Sequence, residues 1–199
     1  ILRIPDNKKK DEVISQLELP LPAFLTRIGA QLSVHLLAKT LISGSKIEKN
    51  SGRVLSSYDM LGESAITMRQ AHDYFYKYMD AAKTVEAPSE ISIKLSSLHP
   101  RYEYLRQKDC IPFIIFRVHK LMDVCKKRGI GLTIDAEESD RLDLSMLVID
   151  SVVEKYGEGL TVAVQANQKR AFGVIQYLNS LGTPIGIRLV KGSYWDTEI

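Results

Sequence analysis

Lys94, Asp135, Glu137, Gln165, Arg188 and Lys191 are charged or amide side chains at the far ends of short apolar segments. An ionised group withdrawn from water costs several kcal/mol unless it is paired or used on a ligand. Such residues are therefore either an internal ion-pair network or a binding site. In "IDAEE" Asp135 and Glu137 alternate, so on a strand they share a face. Gln165 adds a donor and an acceptor, and Lys94 and Arg188 add cations. For each residue alone the ion-pair reading is as good as the functional one. Convergence of several segment ends favours a site. Asp135 and Glu137 could hold a divalent cation, but no histidine stands at suitable spacing and no metal is expected. The chain has no GxGxxG or P-loop pattern, and "KGSYW" with its single glycine is a weak phosphate motif.

The elements that must carry these residues follow from periodicity. "RVLSSYDML", "EISIKLSSLHP", "GIGLTIDAEE", "LTVAVQAN" and "PIGIRLV" read as strands. Between them lie helical stretches. One is "ESAITMRQAHDYFYKYMDAAKTV", with Ala65, Met68, Ala71, Phe75 and Tyr78 on one face. The next runs from Tyr102 to Gly129, where Pro112 must start a new helix or kink an old one. Two more end at Gly157 and Gly182. Strand–helix thus repeats four times before a fifth strand. The strands read as apolar on both faces, as in a sheet covered on both sides. Tyr58-Asp59, Lys94, Asp135 with Glu137, Gln165, and Arg188 with Lys191 place a polar end on every strand. That favours a (β/α)8 barrel, whose site lies at the strand C-termini, over a doubly wound sheet with one crevice. The expectation is an α/β fold: a partial TIM-like barrel of about five of eight βα units over 53–199, preceded by a helical arm over 1–52. Three units would follow Ile199. The missing initiating methionine points to a piece of something longer.

The composition narrows the class. The 199 residues are 45% hydrophobic, enough for one sizeable core. A formal charge of +3 with scattered basic residues gives no argument for nucleic acid. Lys8-Lys9-Lys10 runs straight into Asp11-Glu12 and reads as a solvated helix start. Cys110 and Cys125 have no ligand spacing and read as reduced, buried thiols. No apolar run is long enough to span a membrane, and "ILRIPDNKKK" is not a signal peptide. A cytoplasmic protein is expected.

Five motifs carry a family resemblance: "SYDMLGESA", "ISIKLSSLHPRYE", "IDAEESDRLDLS", "VQANQKR" and "IRLVKGSYWDTEI". In order and spacing they resemble the proline dehydrogenase domain of the bacterial bifunctional proline-utilisation flavoenzyme. Upstream, "ISQLELPLPAFLTRIG" is similar to the helical arm before that barrel. The resemblance implies a distorted (β/α)8 barrel holding FAD non-covalently. It implies oxidation of L-proline to 1-pyrroline-5-carboxylate by hydride transfer from C5 to flavin N5, the first step of proline catabolism to glutamate. Electrons then pass to a membrane quinone, which would put the protein, at times, at the inner membrane face. A homo-oligomer is compatible with it, and no nucleic acid is expected in this segment.

The resemblance also assigns roles. Lys94 matches the lysine that pairs with the proline carboxylate, and Tyr194 the ring that packs on proline. Asp135 and Arg188 match the catalytic pair, Asp135 near flavin and substrate, Arg188 beside N5 where a cation stabilises anionic reduced flavin. Ile134, Gln165, Lys191, Gly192, Ser193 and Trp195, with Arg188 and Tyr194, match the cofactor-binding set. Asn167 and Ser193 depart from the family, which usually has Tyr and Ala there. The family's paired carboxylate-binding arginines and much of its FAD site would lie after the fifth strand. The alternative is therefore a non-catalytic fragment. A Schiff-base lyase using Lys94 is a third reading that the motifs disfavour. His99 reads as a loop histidine, and His35, His72 and His119 as helix-surface residues. Tyr74, Tyr76 and Tyr78 read as packing. Glu63 reads as a cap or ion-pair residue, and Asp59 lies near the site without a definite step.

Overall fold

The structure, a computed structural model, describes residues 56–60 and 64–194. The proposed arm over 1–52, Glu63 and Trp195 lie outside the described residues. Five strands form one parallel sheet in sequence order: β1 (Ser56–Asp59), β2 (Ser89–Ile93), β3 (Gly131–Ile134), β4 (Leu160–Gln165) and β5 (Gly186–Val190). The connections are α1 (Met68–Thr84), α2 (Gln107–Arg128), α3 (Leu142–Tyr156) and α4 (Ala171–Ser180). Sequential parallel strands joined by helices make the expected half-barrel. The sheet curls. A flat sheet would put β5 about 19 Å from β1 at the usual strand spacing, beyond the reach of an arginine. Yet the Arg188 guanidinium on β5 donates to Ser57 Oγ on β1.

Alternation sorts the strand side chains onto two faces. Ile91, Ile93, Leu132 and Ile134 point to the convex side and are at most 1% exposed. They share one buried core with Tyr78 of α1, Ile114, Val118 and Leu121 of α2, and Leu144 and Val148 of α3: α1 packs on β2, α2 on β3, and α3 on α2. The concave side is polar: Glu90, Ser92, Thr133, Asp135, Gln165 and Arg188. The expectation of strands apolar on both faces is therefore corrected. In "SEISI" and "GLTI" every second residue is small or polar, and only the helix-facing set is hydrophobic.

Boundaries shift for identifiable reasons. α1 begins at Met68, after Glu63-Ser64, because Thr67 caps it. Thr67 Oγ1 accepts from the Gln70 N–H at 3.2 Å, and Gln70 Oε1 accepts from the Ile66 N–H at 2.8 Å. β2 stops at Ile93 rather than Pro100. The Lys94 carbonyl turns to accept from Ser97 N–H (3.2 Å) and Ser97 Oγ (2.6 Å), closing the 3₁₀ turn Leu95–Leu98. β3 stops at Ile134, so Asp135 and Glu137 stand on the loop beyond it, not on the strand. Pro112 lies inside α2, which runs on to Arg128, so it starts no separate helix. α2 and α3 both end on left-handed glycines, Gly129 and Gly157, whose N–H groups bond back into the last turn.

One buried cation braces this layer. Arg117 of α2 is 3% exposed and donates Nη1 to the carbonyls of Ala71 (2.6 Å) and Leu98 (2.9 Å). Its Nη2 meets His72 Nδ1 at 2.7 Å, and its guanidinium lies over the Phe113 ring, 4.4 Å from the centroid. It joins α1, α2 and the turn after β2 through carbonyl dipoles and a π face. His72, read as a helix-surface residue, takes part in that brace. Cys110 and Cys125 are free and buried, as expected, and burial pushes the Cys125 thiol up to about 12. Among the described residues no helix is long and apolar enough to cross a membrane.

Candidate active site at the strand C-termini

The carboxyl ends of all five strands border one cavity of about 290 Å³, lined by Asp59, Lys94, Asp135, Gln165, Arg188, Ser193 and Tyr194 among others. That volume is at the lower end for small-molecule pockets. It suits a small amino acid or the end of a ring system, not a whole dinucleotide.

Each lining residue is placed by backbone geometry. The Lys94 N–H bonds Tyr78 Oη at 3.2 Å, and the same hydroxyl meets Ser97 Oγ at 3.2 Å. The buried tyrosine of α1 thus fixes the bend that delivers Lys94. Burial raises the Tyr78 phenol above its ordinary value, so it stays neutral. The Asp135 N–H bonds the Ile93 carbonyl at 2.9 Å, carrying the sheet ladder one residue further and aiming Asp135 at the cavity. Burial is the first cause that raises the Asp135 carboxyl to about 6, and neighbouring Asp59 adds to it. Lys94 and Arg188 act in the opposite direction.

Arg188 is mid-strand on β5, in register with Ala163 of β4. Its guanidinium crosses the concave face. Nη1 donates to Ser92 Oγ at 2.8 Å and lies 3.4 Å from Asp135 Oδ1. Nη2 donates to Glu90 Oε1, Ser57 Oγ and Thr133 Oγ1.

Glu137 does not share a role with Asp135. It is 7% exposed, accepts from the Ser96 N–H at 3.0 Å, and pairs with Arg141 Nη1 at 3.2 Å. Burial raises its carboxyl, while those bonds oppose the rise. Gln165 is 3% exposed and ties this loop to the one after β5. Its Nε2 donates to the Glu137 carbonyl at 2.9 Å, and its Oε1 accepts from the Ser193 N–H at 2.9 Å. Gln165 thus holds Ser193 and Tyr194 at the rim. Burial raises the Tyr194 phenol, with Glu138 and Glu137 adding to it.

Lys191 is exposed on the same loop, and its carbonyl accepts from the Asn167 N–H at 3.1 Å. Gly192 has φ +122°, and a Cβ there would collide with the Asn167 side chain. The departure at Asn167 therefore packs against the glycine of the rim. Ile134 is a core residue, 1% exposed, beside a water-sized internal cavity between the sheet and α3. His99 Nδ1 accepts from the Arg101 N–H at 3.1 Å and its ring meets Phe113, the loop role expected of it.

Sequence reasoning missed Glu90, together with Ser57, Ser92 and Thr133 beside Arg188. The signal is the alternation Glu90, Ser92, Lys94, which puts three polar residues on one strand face.

A curled parallel β/α sheet with cations, a perturbed carboxyl and a rim tyrosine at its strand C-termini defines an enzyme-type barrel segment. The proline dehydrogenase family model matches residues 43–199, and the chain belongs to that family. It is 36% identical over 202 residues to the bifunctional protein PutA of Escherichia coli (strain K12), covering 88% of this chain and 15% of that one. It is 35% identical to PutA of Rhizobium meliloti, covering 87% and 16%. The crystal structure of a bifunctional proline utilization A (PutA) protein superposes with a TM-score of 0.67 at 39% identity, over 72% of this chain and 16% of that chain. The chain thus spans under one-fifth of the length of these relatives.

Proposed function

We propose that this chain supplies the reacting end of the site in an FAD-dependent proline dehydrogenase. The reaction is oxidation of L-proline to 1-pyrroline-5-carboxylate, with a membrane quinone as final acceptor, and the division into an arm over 1–52 and a barrel over 53–199 belongs to the same proposal. The observation that carries it is the convergence of Lys94, Asp135, Arg188 and Tyr194 on one proline-sized cavity.

The donor set fits a flavin. Two cations face the cavity, and the rim turns at a glycine where a side chain would meet Asn167. Arg188, Lys191, Gly192, Ser193 and Tyr194 would border the ring, and Gln165 would hold their loop. When bound, the flavin supplies the two-electron acceptor. Lys94 supplies a compact charge for the proline carboxylate. Tyr194 offers an apolar ring for the pyrrolidine. Arg188 places positive charge where electron density would accumulate. Asp135 offsets the two cations and can hold a proton near pH 6. Lys94 shares the cavity with the carboxylates Asp59 and Asp135, which is not the apolar pocket that a Schiff-base lysine needs.

The test is a visible spectrum of the chain after loading with FAD and desalting, then anaerobic titration with proline. Retained flavin that bleaches is expected. Lys94→Ala should need about 10- to 100-fold more proline for half-reduction. A colourless protein would leave the chain as a non-catalytic fragment. An unchanged proline requirement in Lys94→Ala would remove the carboxylate role.

A further inference from the structure

Arg188 is held between two carboxylates at different heights on the concave face. Glu90, on the lower row of β2, bonds Nη2 directly. Asp135, at the mouth, is 3.4 Å from Nη1. Ser57 and Thr133 donate or accept around the same lower site, and Ser57, Arg188 and Thr133 keep the Glu90 carboxyl below its usual range despite its partial burial. Glu90 is therefore ionised wherever Asp135 is titrating. We propose that Glu90 is a positioning residue: it draws the Arg188 guanidinium down toward the lower row and so limits the charge that Arg188 delivers to Asp135 and to the mouth.

The consequence has a definite sign. Without the Glu90 charge, Arg188 is free to close on Asp135, and an approaching cation favours the ionised carboxylate. Asp59 from β1, Lys94 after β2 and Glu137 on the same loop also face Asp135 and are unchanged by the substitution. For the flavin reading the effect would be a stronger cation beside the ring in Glu90→Gln. That consequence rests on the proposed function, whereas the positioning role does not.

The experiment needs no cofactor. Asp135 in the full chain is titrated by carbon NMR with labelled aspartate, using Asp135→Asn for assignment. Glu90→Gln should lower the proton affinity of Asp135 by about tenfold. In an Arg188→Gln background the same change should have far less effect, because Glu90 acts through Arg188. A Glu90→Gln chain that folds and leaves the Asp135 titration in place overturns the proposal. So does an effect that persists at full size without Arg188, since that would be only the direct field of Glu90. Should Glu90→Gln fail to fold, Glu90→Ala, which also removes the charge, replaces it. A lowered Asp135 midpoint there supports the role, and an unmoved one overturns it.

Discussion

The two faces of the curled sheet solve opposite problems with neighbouring residues. On the convex side Ile91 and Ile93 are fully buried against helices, and any apolar residue of the right volume would satisfy the site. On the concave side Ser92, between them, is equally buried but accepts a hydrogen bond from a guanidinium. One face is held by burial, the other by a set of charges that must balance. The convex face should therefore tolerate pH and fail on loss of volume. The concave face should do the reverse.

The largest effect tests the convex face. Ile93→Ala removes a fully buried side chain where the helices cannot close up without moving the Lys94 bend. It should lower unfolding free energy by about 3 kcal/mol in urea denaturation, independent of pH. A loss under about 1 kcal/mol would mean that the helix layer repacks freely, and the contrast would dissolve.

A smaller and opposite effect tests the concave face. The Asp135 carboxyl is raised to about 6 from 3.8, so between these values the folded chain binds the proton that the unfolded chain has released. Stability should then fall as pH rises from about 4 to about 6. Asp135→Asn removes the ionisation and should stabilise the chain by about 2 kcal/mol at pH 8, with little gain at pH 4. Thermal melts at the two pH values read the difference. A gain of equal size at both would assign the effect to packing instead. A stabilising substitution at a cavity-lining residue is what a site under functional constraint predicts.

Much of this was legible because periodicity reports which face a residue occupies. The order of strands and helices was legible from short apolar runs between helical stretches and from Gly157 and Gly182 as stops, whereas the alternation within the strands was not read. The cavity residues Lys94, Asp135, Gln165 and Arg188 were visible as polar groups at apolar ends. What the pattern does not encode is direction across the barrel. Arg188 reaches across three strands to Glu90, 98 residues earlier, and that partner leaves only an alternating Glu-Ile-Ser-Ile-Lys as a trace. Asp135 and Glu137 look equivalent when spaced by two on a strand. They separate because β3 ends at Ile134, and beyond it Glu137 bonds the Ser96 N–H and pairs with Arg141. That ending is set by the neighbouring strand, which the local sequence does not contain.

The smallest expected effect concerns where the convex rule stops. On β5 the convex face carries Ile187, level with Ile93 through Ile134 and Val162, and Leu189 beyond it, yet they are 40% and 61% exposed. Among the described residues, then, the same residue types on the same sheet face lack the helix cover that makes burial worth several kcal/mol. Leu189→Ser should change unfolding free energy by no more than about 0.5 kcal/mol, where the equivalent change at Ile93 would be ruinous. Denaturation at two protein concentrations makes the measurement informative. A small, concentration-independent change means that β5 adds little convex burial in solution and that the hydrophobic face ends at β4. A loss of several kcal/mol that grows with concentration means that another copy covers Leu189, and the asymmetry between the two ends of the sheet is then a property of the monomer alone.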